Sequence, residues 1–451
     1  MFEKILIANR GEIAVRIIRA CREMGIKTAA VYSEADAASM HVRLADESVC
    51  IGPAAAAESY LHVPNIIAAA RNVGAEAIHP GAGFLAASAM FAEVCPEYQI
   101  ANIRPTPEQR AAAGNKSAAI EAARDAGLPI LESSSEPLRD LRTARDALAE
   151  LGTPAMLKAA AGGGGRGMRQ IRNFSQLMTA FPQAQSEAAA AFDSGDLYLE
   201  RLVEGARHVE IQILGDGRNV RHLGERDCSV QRRHQKVIEE APSPSLNDKL
   251  RRRIASAATK LARSLKYESA GTVEFLVDKD DKHYFIELNA RIQVEHPVSE
   301  ALTGIDLVQW QIRIAAGERI DFKQGDVKPN GHAIECRLIA EDSENDWVPS
   351  AGLVSKLSLP GGPGVRVDSH VYAGYQVPTQ YDSLLAKIIC HGRDRDAAIA
   401  ATRTALAEVE VGGIATNLPY LKRVMDDPDF VAGRHTLDEM PGQAAPEPAG
   451  A

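Results

Sequence analysis

The sequence lacks the features that would place the chain in a membrane, in an oxidising compartment or on a nucleic acid. No apolar run approaches the roughly 20 residues of a membrane-spanning helix. The six cysteines are scattered without a C-x-x-C pair, which excludes a zinc ribbon or a disulfide framework and indicates a reducing, cytoplasmic setting. The net charge of -9 disfavours nucleic acid as the main partner. No basic stretch precedes the first apolar residues, so we expect a first strand there and no signal peptide.

The glycine motif of a dinucleotide fold is also missing from the first turn. Residues 4–8 read as a strand and residues 13–24 as a helix, but no G-x-G-x-x-G lies between them. The same strand and helix rhythm continues through residues 28–32 and 77–79, which predicts an open, mostly parallel α/β domain. At 451 residues the chain is long enough for two or three domains, and it shows no internal repeat.

Polar and apolar side chains alternate from residue 286 to residue 295. The polar positions are Glu287, Asn289, Arg291, Gln293 and Glu295. Alternation with a period of two predicts a β-strand with one buried and one open face. Such a strand is usually a solvated edge, but solvated faces use Lys, Ser and Thr, and this alternating segment has none of them. Its carboxylates, amides and guanidinium could instead hold a metal, bind an anion and move a proton.

A second predicted strand, residues 271–277, precedes the alternating segment across a turn-rich break. If the hairpin closes symmetrically, Glu274 lies opposite Glu287. Facing like charges destabilise a strand pair, so we expect a cation between these carboxylates. A hard divalent ion with oxygen ligands, Mg²⁺ or Mn²⁺, fits the pair, and a different strand register would break it.

Four consecutive glycines occupy residues 162–165. The stretch fits G-x-G-x-x-G, but a strand-like segment, residues 168–172, follows it in place of a helix, and no Gly-Lys-Ser/Thr is present. Strand, glycine loop and strand predict a lid that closes backbone N–H groups over phosphates, with Lys158 supplying positive charge. A surface hairpin without function is the alternative.

Two further motifs carry basic side chains. The run at residues 231–236, QRRHQK, is too local for a duplex and suits a small anion, with a solvated face as the alternative. Arg337 lies on a predicted strand, residues 333–339, where a single Arg is more often structural.

Together these segments resemble the biotin carboxylase family of the ATP-grasp superfamily over nearly the full chain. The resemblance rests on KILIANRGEIA from residue 4, Lys158 with its glycine loop, RDCSVQRRHQKVIEEAP from residue 226, FIELNARIQVEHP from residue 285, GHAIECR from residue 331 and Tyr381-Asp-Ser. It implies an α/β fold in three domains with a linker and a frayed tail. The predicted parts are an N-terminal open parallel α/β domain (1–112), a linker (113–130), an ATP-grasp lid with the glycine loop (131–202), a C-terminal α+β ATP-grasp and biotin carboxylase domain (203–445) and the tail (446–451).

The resemblance also implies a reaction. ATP, with Mg²⁺ or Mn²⁺, phosphorylates bicarbonate to carboxyphosphate, and the carboxyl group passes to N1 of biotin. No Ala-Met-Lys-Met biotinylation motif occurs in the chain, so we expect biotin on a separate biotin carboxyl carrier protein. A carboxyltransferase subunit of an acetyl-CoA, other acyl-CoA or pyruvate carboxylase would then choose the final acceptor.

The same resemblance implies roles for single residues. The metal ligands would be Glu274, Glu287 and Asn289. The catalytic set would be the general base Glu295, the bicarbonate-binding Lys236, Arg291, Gln293 and Val294 N–H, and Arg337, which stabilises the biotin enolate. The ATP-binding set would be Lys116, Lys158, Gly163, Gly164, His208, Gln231 and His234, with the adenine hinge at Glu200, Arg201 and Val203 and the adenine sandwich formed by Met168 and Leu276. Preorganised cations and donors belong where phosphoryl and enolate charge develops.

Departures from the family pattern cluster in the N-terminal region and at the expected biotin edge. Ala82 replaces an aromatic residue, Ala87 and Ser88 replace a Glu-Asn pair, Arg104 replaces a glycine, and Ala161 replaces the first loop glycine. Two functions therefore stay open: a working biotin carboxylase subunit, and a nucleotide-binding, weakly active or inactive paralogue that scaffolds or regulates a carboxylase. An ATP-grasp ligase that joins a carboxylate to an amine is disfavoured by the intact base and enolate segments.

A homodimer is a further expectation from the family. Arg16, Arg19, Glu23 and Arg366 stand at positions that the family uses at its dimer face, where Pro363 replaces an aromatic residue.

Overall fold

The N-terminal part of the chain is an open parallel sheet between helices, as the sequence predicts. The computed structural model describes residues 1–114, 116–134, 136–159, 168–192 and 194–442. The elements of the first part are β1 (Lys4–Ile7), α1 (Gly11–Glu23), β2 (Lys27–Tyr32), α2 (Met40–Leu44), β3 (Glu47–Cys50), α3 (Val63–Asn72), β4 (Ala77–His79), α4 (Ala89–Glu97) and β5 (Ala101–Asn102). The strands run parallel in the order β3-β2-β1-β4-β5.

Helices cover both faces of this sheet, which explains the unbroken apolar sequence of β1. Ile5 and Ile7 pack with Ile17 of α1 in one core cluster. Leu6, between them, points to the opposite face and packs with Ile66 of α3 in another. All three β1 side chains are fully buried.

A helical link and a small antiparallel sheet follow. The elements are α5 (Pro107–Gly114), α6 (Lys116–Asp125), α7 (Leu141–Leu151), β6 (Ala155–Ala159), β7 (Arg169–Ile171), α8 (Phe174–Phe192) and β8 (Leu197–Arg201). The strands pair in the order β7-β6-β8, so the predicted strands on either side of the glycine loop are confirmed. The loop glycines Gly163 and Gly164, together with Ala161 and the tail at 446–451, lie outside the described residues.

The rest of the chain is built on an eight-stranded sheet. Its first elements are β9 (Arg207–Asp216), β10 (Val220–Arg232), β11 (Gln235–Ala241), α9 (Asp248–Ser264), β12 (Glu268–Val277), β13 (His283–Asn289), α10 (His296–Thr303), α11 (Leu307–Ala315) and β14 (His332–Ile339). The later elements are β15 (Glu341–Asp342), β16 (Val348–Pro349), β17 (Gly352–Leu353), β18 (Lys356–Ser358), β19 (Val365–Ser369), β20 (Gln376–Val377), β21 (Leu384–Gly392), α12 (Arg395–Glu408), β22 (Glu410–Gly412), α13 (Leu418–Asp426) and α14 (Pro428–Val431). The large sheet has the order β13-β12-β9-β10-β11-β14-β21-β19, and every neighbouring pair is antiparallel.

Only residues 286–289 of the alternating segment belong to a strand, so the prediction of one strand through residue 295 is wrong. Strand β13 ends at Asn289, and the chain then leaves the sheet for α10, in whose first turn Pro297 lies. Ile292 is fully buried in the core cluster that includes α1, so the continued alternation reflects packing of a loop. The predicted pairing of Glu274 with Glu287 is confirmed, although a bulge shifts the register nearer the turn.

No helix in the described ranges is long and apolar enough to cross a membrane. The boundaries assigned to the domains stay a prediction.

Candidate active site

Charged side chains from several strands meet on one part of the large sheet. Glu274 of β12 is paired in register with Glu287 of β13 on one side and with Glu210 of β9 on the other. Glu210 and Glu274 are buried, and Glu287 is half-buried. Glu210 is not among the predicted site residues, although the polar positions His208 and Glu210 repeat the period of two along β9.

Lys236 of β11 is the cation that several of these carboxylates share. Its Nζ lies 2.6 Å from Glu210 Oε2, 3.0 Å from Glu274 Oε1 and 2.7 Å from Glu295 Oε1. Burial alone would lower the pKa of Lys236, but Glu210, Glu274 and Glu295 raise that pKa well above its ordinary value. The ammonium therefore stays charged and joins three strands to the start of α10.

Glu295 lies immediately before α10 and is held between two cations. It is 1 % exposed, and its second carboxylate oxygen, Oε2, accepts a hydrogen bond from Arg337 Nη2 at 2.8 Å. Burial would raise the pKa of Glu295, but Lys236 and Arg337 lower it well below its ordinary value. The same Arg337 nitrogen also contacts Glu239 of β11. A carboxylate kept ionised in a buried site can act as a proton acceptor.

Together these seven side chains form what we call the charged row. Its members are Glu287, Glu274, Glu210, Lys236, Glu295, Arg337 and Glu239.

Amide side chains complete one end of the charged row. Asn289 Nδ2 donates to Glu274 Oε1 and to Glu287 Oε1, at 2.9 Å each. Gln293 Nε2 donates to Glu274 Oε1 at 3.1 Å, and Gln293 Oε1 accepts from Arg291 Nη1 at 2.8 Å. The predicted group of metal and bicarbonate residues is therefore contiguous in space.

The donor set at this end fits a hard divalent cation. Two carboxylate oxygens, on Glu274 and Glu287, lie within hydrogen-bond distance of the same Asn289 nitrogen. A half-turn of the Asn289 amide would offer its oxygen in place of that nitrogen and give three oxygen donors. Burial would raise the pKa of Glu274, but Lys236 and His208 lower it well below its usual range, so this carboxylate is ionised and able to bind a cation.

Several of the predicted ATP-binding residues extend this site toward the small sheet. Gln231 Nε2 lies 3.2 Å from His208 Nδ1, and His208 Nε2 lies 3.0 Å from Glu274 Oε2. His234 lies in the β10–β11 turn with a positive φ of 65°. Partial burial lowers the pKa of His234, and the positive charge of Lys158 lowers it further.

The predicted hinge residues lie where β8 leaves the small sheet. Glu200 is buried and forms an ion pair with Lys158, so this lysine is not directed solely at a ligand. Arg201 is exposed and pairs with Glu132 at 3.0 Å, and Val203 is half-buried in the following loop.

The predicted adenine sandwich residues come from different parts of the fold, Leu276 from the large sheet and Met168 from the segment before the small sheet's β7. Leu276 pairs in register with His208 and is half-buried, and Met168 is half-buried just before β7. Lys116 begins α6, and its side chain lies outside the described part of the chain.

The backbone carbonyl of Val294 accepts a hydrogen bond from Lys387 Nζ at 2.9 Å. Lys387, on β21, is fully buried and lies 3.1 Å from Glu12 of α1. The loop that carries Gln293 and Glu295 is thus tied to the N-terminal part of the chain. Lys387 is not among the predicted site residues, because the contacts that it makes join segments far apart in the sequence.

Three of the residues that depart from the family pattern, Ala82, Ser88 and Arg104, have local hydrogen-bond partners. Ser88 caps α4 by accepting a hydrogen bond from Phe91 N at 3.2 Å. Arg104 Nη1 donates to the carbonyls of Leu85 and Ser88, at 3.2 and 3.0 Å. The Ala82 carbonyl accepts from Asn9 Nδ2 at 2.8 Å. Arg104 thus links the segment after β5 to the turn that carries Leu85 and Ser88.

The predicted dimer-face residues form a cluster within the chain. Arg16 is buried and contacts Glu300 at 3.0 Å, and Arg366 contacts the other oxygen of Glu300 at 2.7 Å. Glu23 accepts from Gln309 at 3.0 Å. The remaining predicted residues are exposed, namely Arg19 and Pro363.

Three family models together match most of the chain. They are the biotin carboxylase N-terminal domain at residues 1–109, the carbamoyl-phosphate synthase L chain ATP binding domain at residues 115–323 and the biotin carboxylase C-terminal domain at residues 335–440.

Relatives and solved structures agree with these matches. A biotin carboxylase of Nostoc is 52% identical over 433 residues, 96% of this chain and 97% of that protein. Biotin carboxylase 1 of Bacillus subtilis is 48% identical over 435 residues, 96% of this chain and 97% of that protein. The biotin carboxylase domain dimer of Hydrogenobacter thermophilus 2-oxoglutarate carboxylase, solved with MgADP, ADP and bicarbonate, matches with a TM-score of 0.94 and 46% identity, over 97% of this chain and 96% of that one. A Campylobacter jejuni biotin carboxylase solved as a β-γ-ATP complex also gives 0.94, at 45% identity, over 97% and 98% of the two chains. On the fold, the charged row and these matches, the chain belongs to the biotin carboxylase family, with an ATP-grasp nucleotide site.

Proposed function

We propose that this chain catalyses the ATP-dependent carboxylation of biotin by bicarbonate. The observation that carries the proposal is the buried Glu295 carboxylate, kept ionised between Lys236 and Arg337. A base in this position suits bicarbonate, a weak acid that becomes a better nucleophile when it loses its proton. The identity to named biotin carboxylases, 52% and 48% along almost the whole chain, supports the same conclusion.

In the proposed first step Glu295 accepts the proton of the bicarbonate hydroxyl. The freed oxygen attacks the γ-phosphorus of ATP, the bond to the bridging oxygen breaks, and carboxyphosphate and ADP form. Lys236, Arg291, Gln293 and the Val294 N–H would hold the anion. Lys236 contacts Glu295 and Glu274, and Gln293 contacts the same Glu274 and Arg291, which supports a shared anion site for these side chains.

Glu274, Glu287 and Asn289 would hold a divalent cation beside this anion. The cation would neutralise charge on the phosphate oxygens of ATP during transfer. An oxygen donor set favours Mg²⁺, with Mn²⁺ as a substitute.

The nucleotide would lie between the small and large sheets. His208 contacts both Gln231 and Glu274 of the charged row, and the charge of Lys158 acts on His234, which supports a phosphate and ribose role for these four residues. Lys158 forms an ion pair with Glu200, and the remaining N–H donors of its ammonium group would bind phosphate. The remaining proposed ATP contacts are Lys116, Gly163, Gly164, Met168, Glu200, Arg201, Val203 and Leu276.

Arg337 would receive biotin on a separate carrier protein. Its guanidinium contacts Glu295, and its side chain is 16% exposed, whereas that of Glu295 is 1% exposed. A cation there would stabilise negative charge on the ureido oxygen of biotin while N1 is carboxylated. The proposal also includes a carboxyltransferase subunit as partner, a cytoplasmic location and a homodimer. The TM-score of 0.94 to a biotin carboxylase domain dimer supports the homodimer.

A second candidate is a nucleotide-binding paralogue with weak or no turnover. Ala82 favours it, because a methyl group stands where the resemblance leads us to expect an aromatic ring. This candidate predicts nucleotide binding by calorimetry with negligible turnover, and a rise in turnover when Ala82→Tyr and Ala87→Glu are combined.

ADP release in the presence of ATP, Mg²⁺, bicarbonate and biotin tests the proposal. We expect release that depends on biotin, free or on a biotinylated carrier, and that is lost in Glu295→Gln. The exposed Glu408→Gln, far from the charged row in sequence and on α12, is the matched control. Nucleotide binding without biotin-dependent turnover would contradict the proposal and favour the paralogue.

A further inference from the structure

A second pair of facing carboxylates lies behind Arg337. Glu239 of β11 is paired in register with Glu335 of β14, so the two side chains leave adjacent strands at the same level. Both are fully buried. Side chains directly opposite in an antiparallel pair have Cβ atoms about 4.5–5.5 Å apart. Both acids belong to sequence motifs, yet neither has a role in the proposed reaction.

The nearby cations are already committed to other groups. Arg337 Nη2 contacts Glu239 but also donates to Glu295 at 2.8 Å. Lys387 Nζ lies 3.1 Å from Glu12 and donates to the Val294 carbonyl at 2.9 Å. Within the described chain, neither oxygen of Glu335 has a hydrogen bond or ion pair.

Other titratable and charged groups surround the pair on every packed element. They are Cys228 on β10, Lys236 on β11, Glu295 at the start of α10, Cys336 and Arg337 on β14, Lys387 on β21 and Glu12 on α1. Two fully buried carboxylates that face each other, beside a guanidinium that is shared with Glu295, cannot both be ionised at low cost. Burial raises the pKa of Glu335 well above its ordinary value and raises that of Glu239 to about 7.

We propose that Glu239 and Glu335 share one proton in the resting enzyme, and that the single negative charge of this pair positions Arg337 beside Glu295. The carboxyl O–H of Glu335 donates to the Glu239 carboxylate, which leaves one charge for the guanidinium. Both residues are positioning residues, since they act on the reaction through Arg337. The inference rests on the proposed role of Arg337.

The charge of the Glu239–Glu335 pair determines how strongly Arg337 is attracted to Glu239 and how strongly it is attracted to Glu295. With both acids ionised, Arg337 would be drawn toward Glu239 and away from Glu295. With both neutral, the guanidinium would pair fully with Glu295 and be less available to a substrate. With one shared proton, Arg337 keeps its contacts with both Glu239 and Glu295.

Infrared difference spectroscopy tests the proton without reference to turnover. The spectrum of the wild-type chain minus that of Glu335→Gln, near neutral pH, should contain a carboxylic acid carbonyl band that shifts in D₂O. No such band, at a pH where the folded state is intact, would overturn the proposal. Because this result does not depend on catalysis, it stays informative even if the chain proves inactive.

Kinetics tests the consequence for Arg337. Glutamine keeps the shape and a hydrogen-bond donor of a protonated glutamic acid, whereas leucine keeps only the size. We expect Glu335→Gln to exceed Glu335→Leu by about tenfold or more in biotin-dependent turnover, because leucine leaves Glu239 without its donor. Glu239→Gln should raise the KM for biotin and leave the KM for ATP unchanged. Equal turnover of the glutamine and leucine variants, or a glutamine variant that fails to fold, would contradict the shared proton.

Discussion

Replacing Lys236 by methionine removes a cation that three buried carboxylates share. Lys236 Nζ lies 2.6, 3.0 and 2.7 Å from oxygens of Glu210, Glu274 and Glu295. At about 3 Å and an effective dielectric constant of about 20, each contact is worth roughly 5–6 kcal/mol before the cost of desolvation. Removal of one partner from a buried ion pair costs about 3–5 kcal/mol net, so we expect Lys236→Met to lose about this much free energy of unfolding near pH 8.

The loss should shrink as the pH falls. In the wild-type chain the pKa values of Glu274 and Glu295 lie below the ordinary value of 4.5, so their contribution to stability is present above that pH and is lost below it. Without Lys236, burial raises the pKa of the same carboxyls, and the folded variant keeps protons that the unfolded chain has released. Its stability therefore falls as the pH rises, and the gap from wild type widens between about pH 5.5 and about pH 8.

Urea unfolding at these two pH values measures the gap. Lys282→Met, an exposed substitution in the turn before β13, is the matched control and should stay within about 0.5 kcal/mol of wild type. The reasoning is refuted if Lys236→Met is as stable as this control, or if the gap does not change with pH.

Two further predictions concern metal binding and acid stability. Glu287→Gln should weaken Mn²⁺ binding about tenfold or more in an electron paramagnetic resonance titration, because it removes a negatively charged carboxylate from the donor set. The exposed Asp280→Asn on the same hairpin should leave the Mn²⁺ affinity unchanged. Equal affinities for the two variants would exclude this metal site. Asp36→Asn should cost about 3–5 kcal/mol, because Asp36 holds the buried Arg10 at 2.7 Å, measured by urea unfolding at neutral pH. Burial would raise the pKa of Asp36, but Arg10 lowers that pKa to about 2. The Asp36 carboxylate therefore stabilises the wild-type chain above pH 3.8, and about 2 kcal/mol of this stabilisation is lost as the pH falls toward 2. Asp36→Asn should lack this loss in acid unfolding.

Local patterns explain which parts of the site could be predicted from sequence. The facing of Glu274 and Glu287 follows from two strands, a short turn and a period of two, all within one hairpin. The role of Glu210 did not follow, because β9 is distant along the chain and its pairing with β12 depends on the whole sheet. The facing of Glu239 and Glu335 could not be predicted for the same reason, because their strands are far apart in the sequence.

Periodicity also misled in one place. Residues 290–295 continue the alternation of β13, but Ile292 is buried against the N-terminal core and Glu295 lies at the start of a helix. A loop that packs every second side chain into a core has the same pattern as a strand, and only the partner strand distinguishes the two. The parallel N-terminal sheet was easier, because its short apolar strands alternate with helices that end in glycine turns.

The charged row has a consequence for how mutations combine. Because Lys236 and Arg337 each serve more than one carboxylate, a substitution at one member changes the electrostatic environment of the others. The energetic effects of two substitutions in the row will therefore not add, and a paired loss of one acid and one base should cost less than the sum of the single losses. Members of the row are thus constrained as a set, and a tolerated change at one position becomes conditional on the residues at the rest.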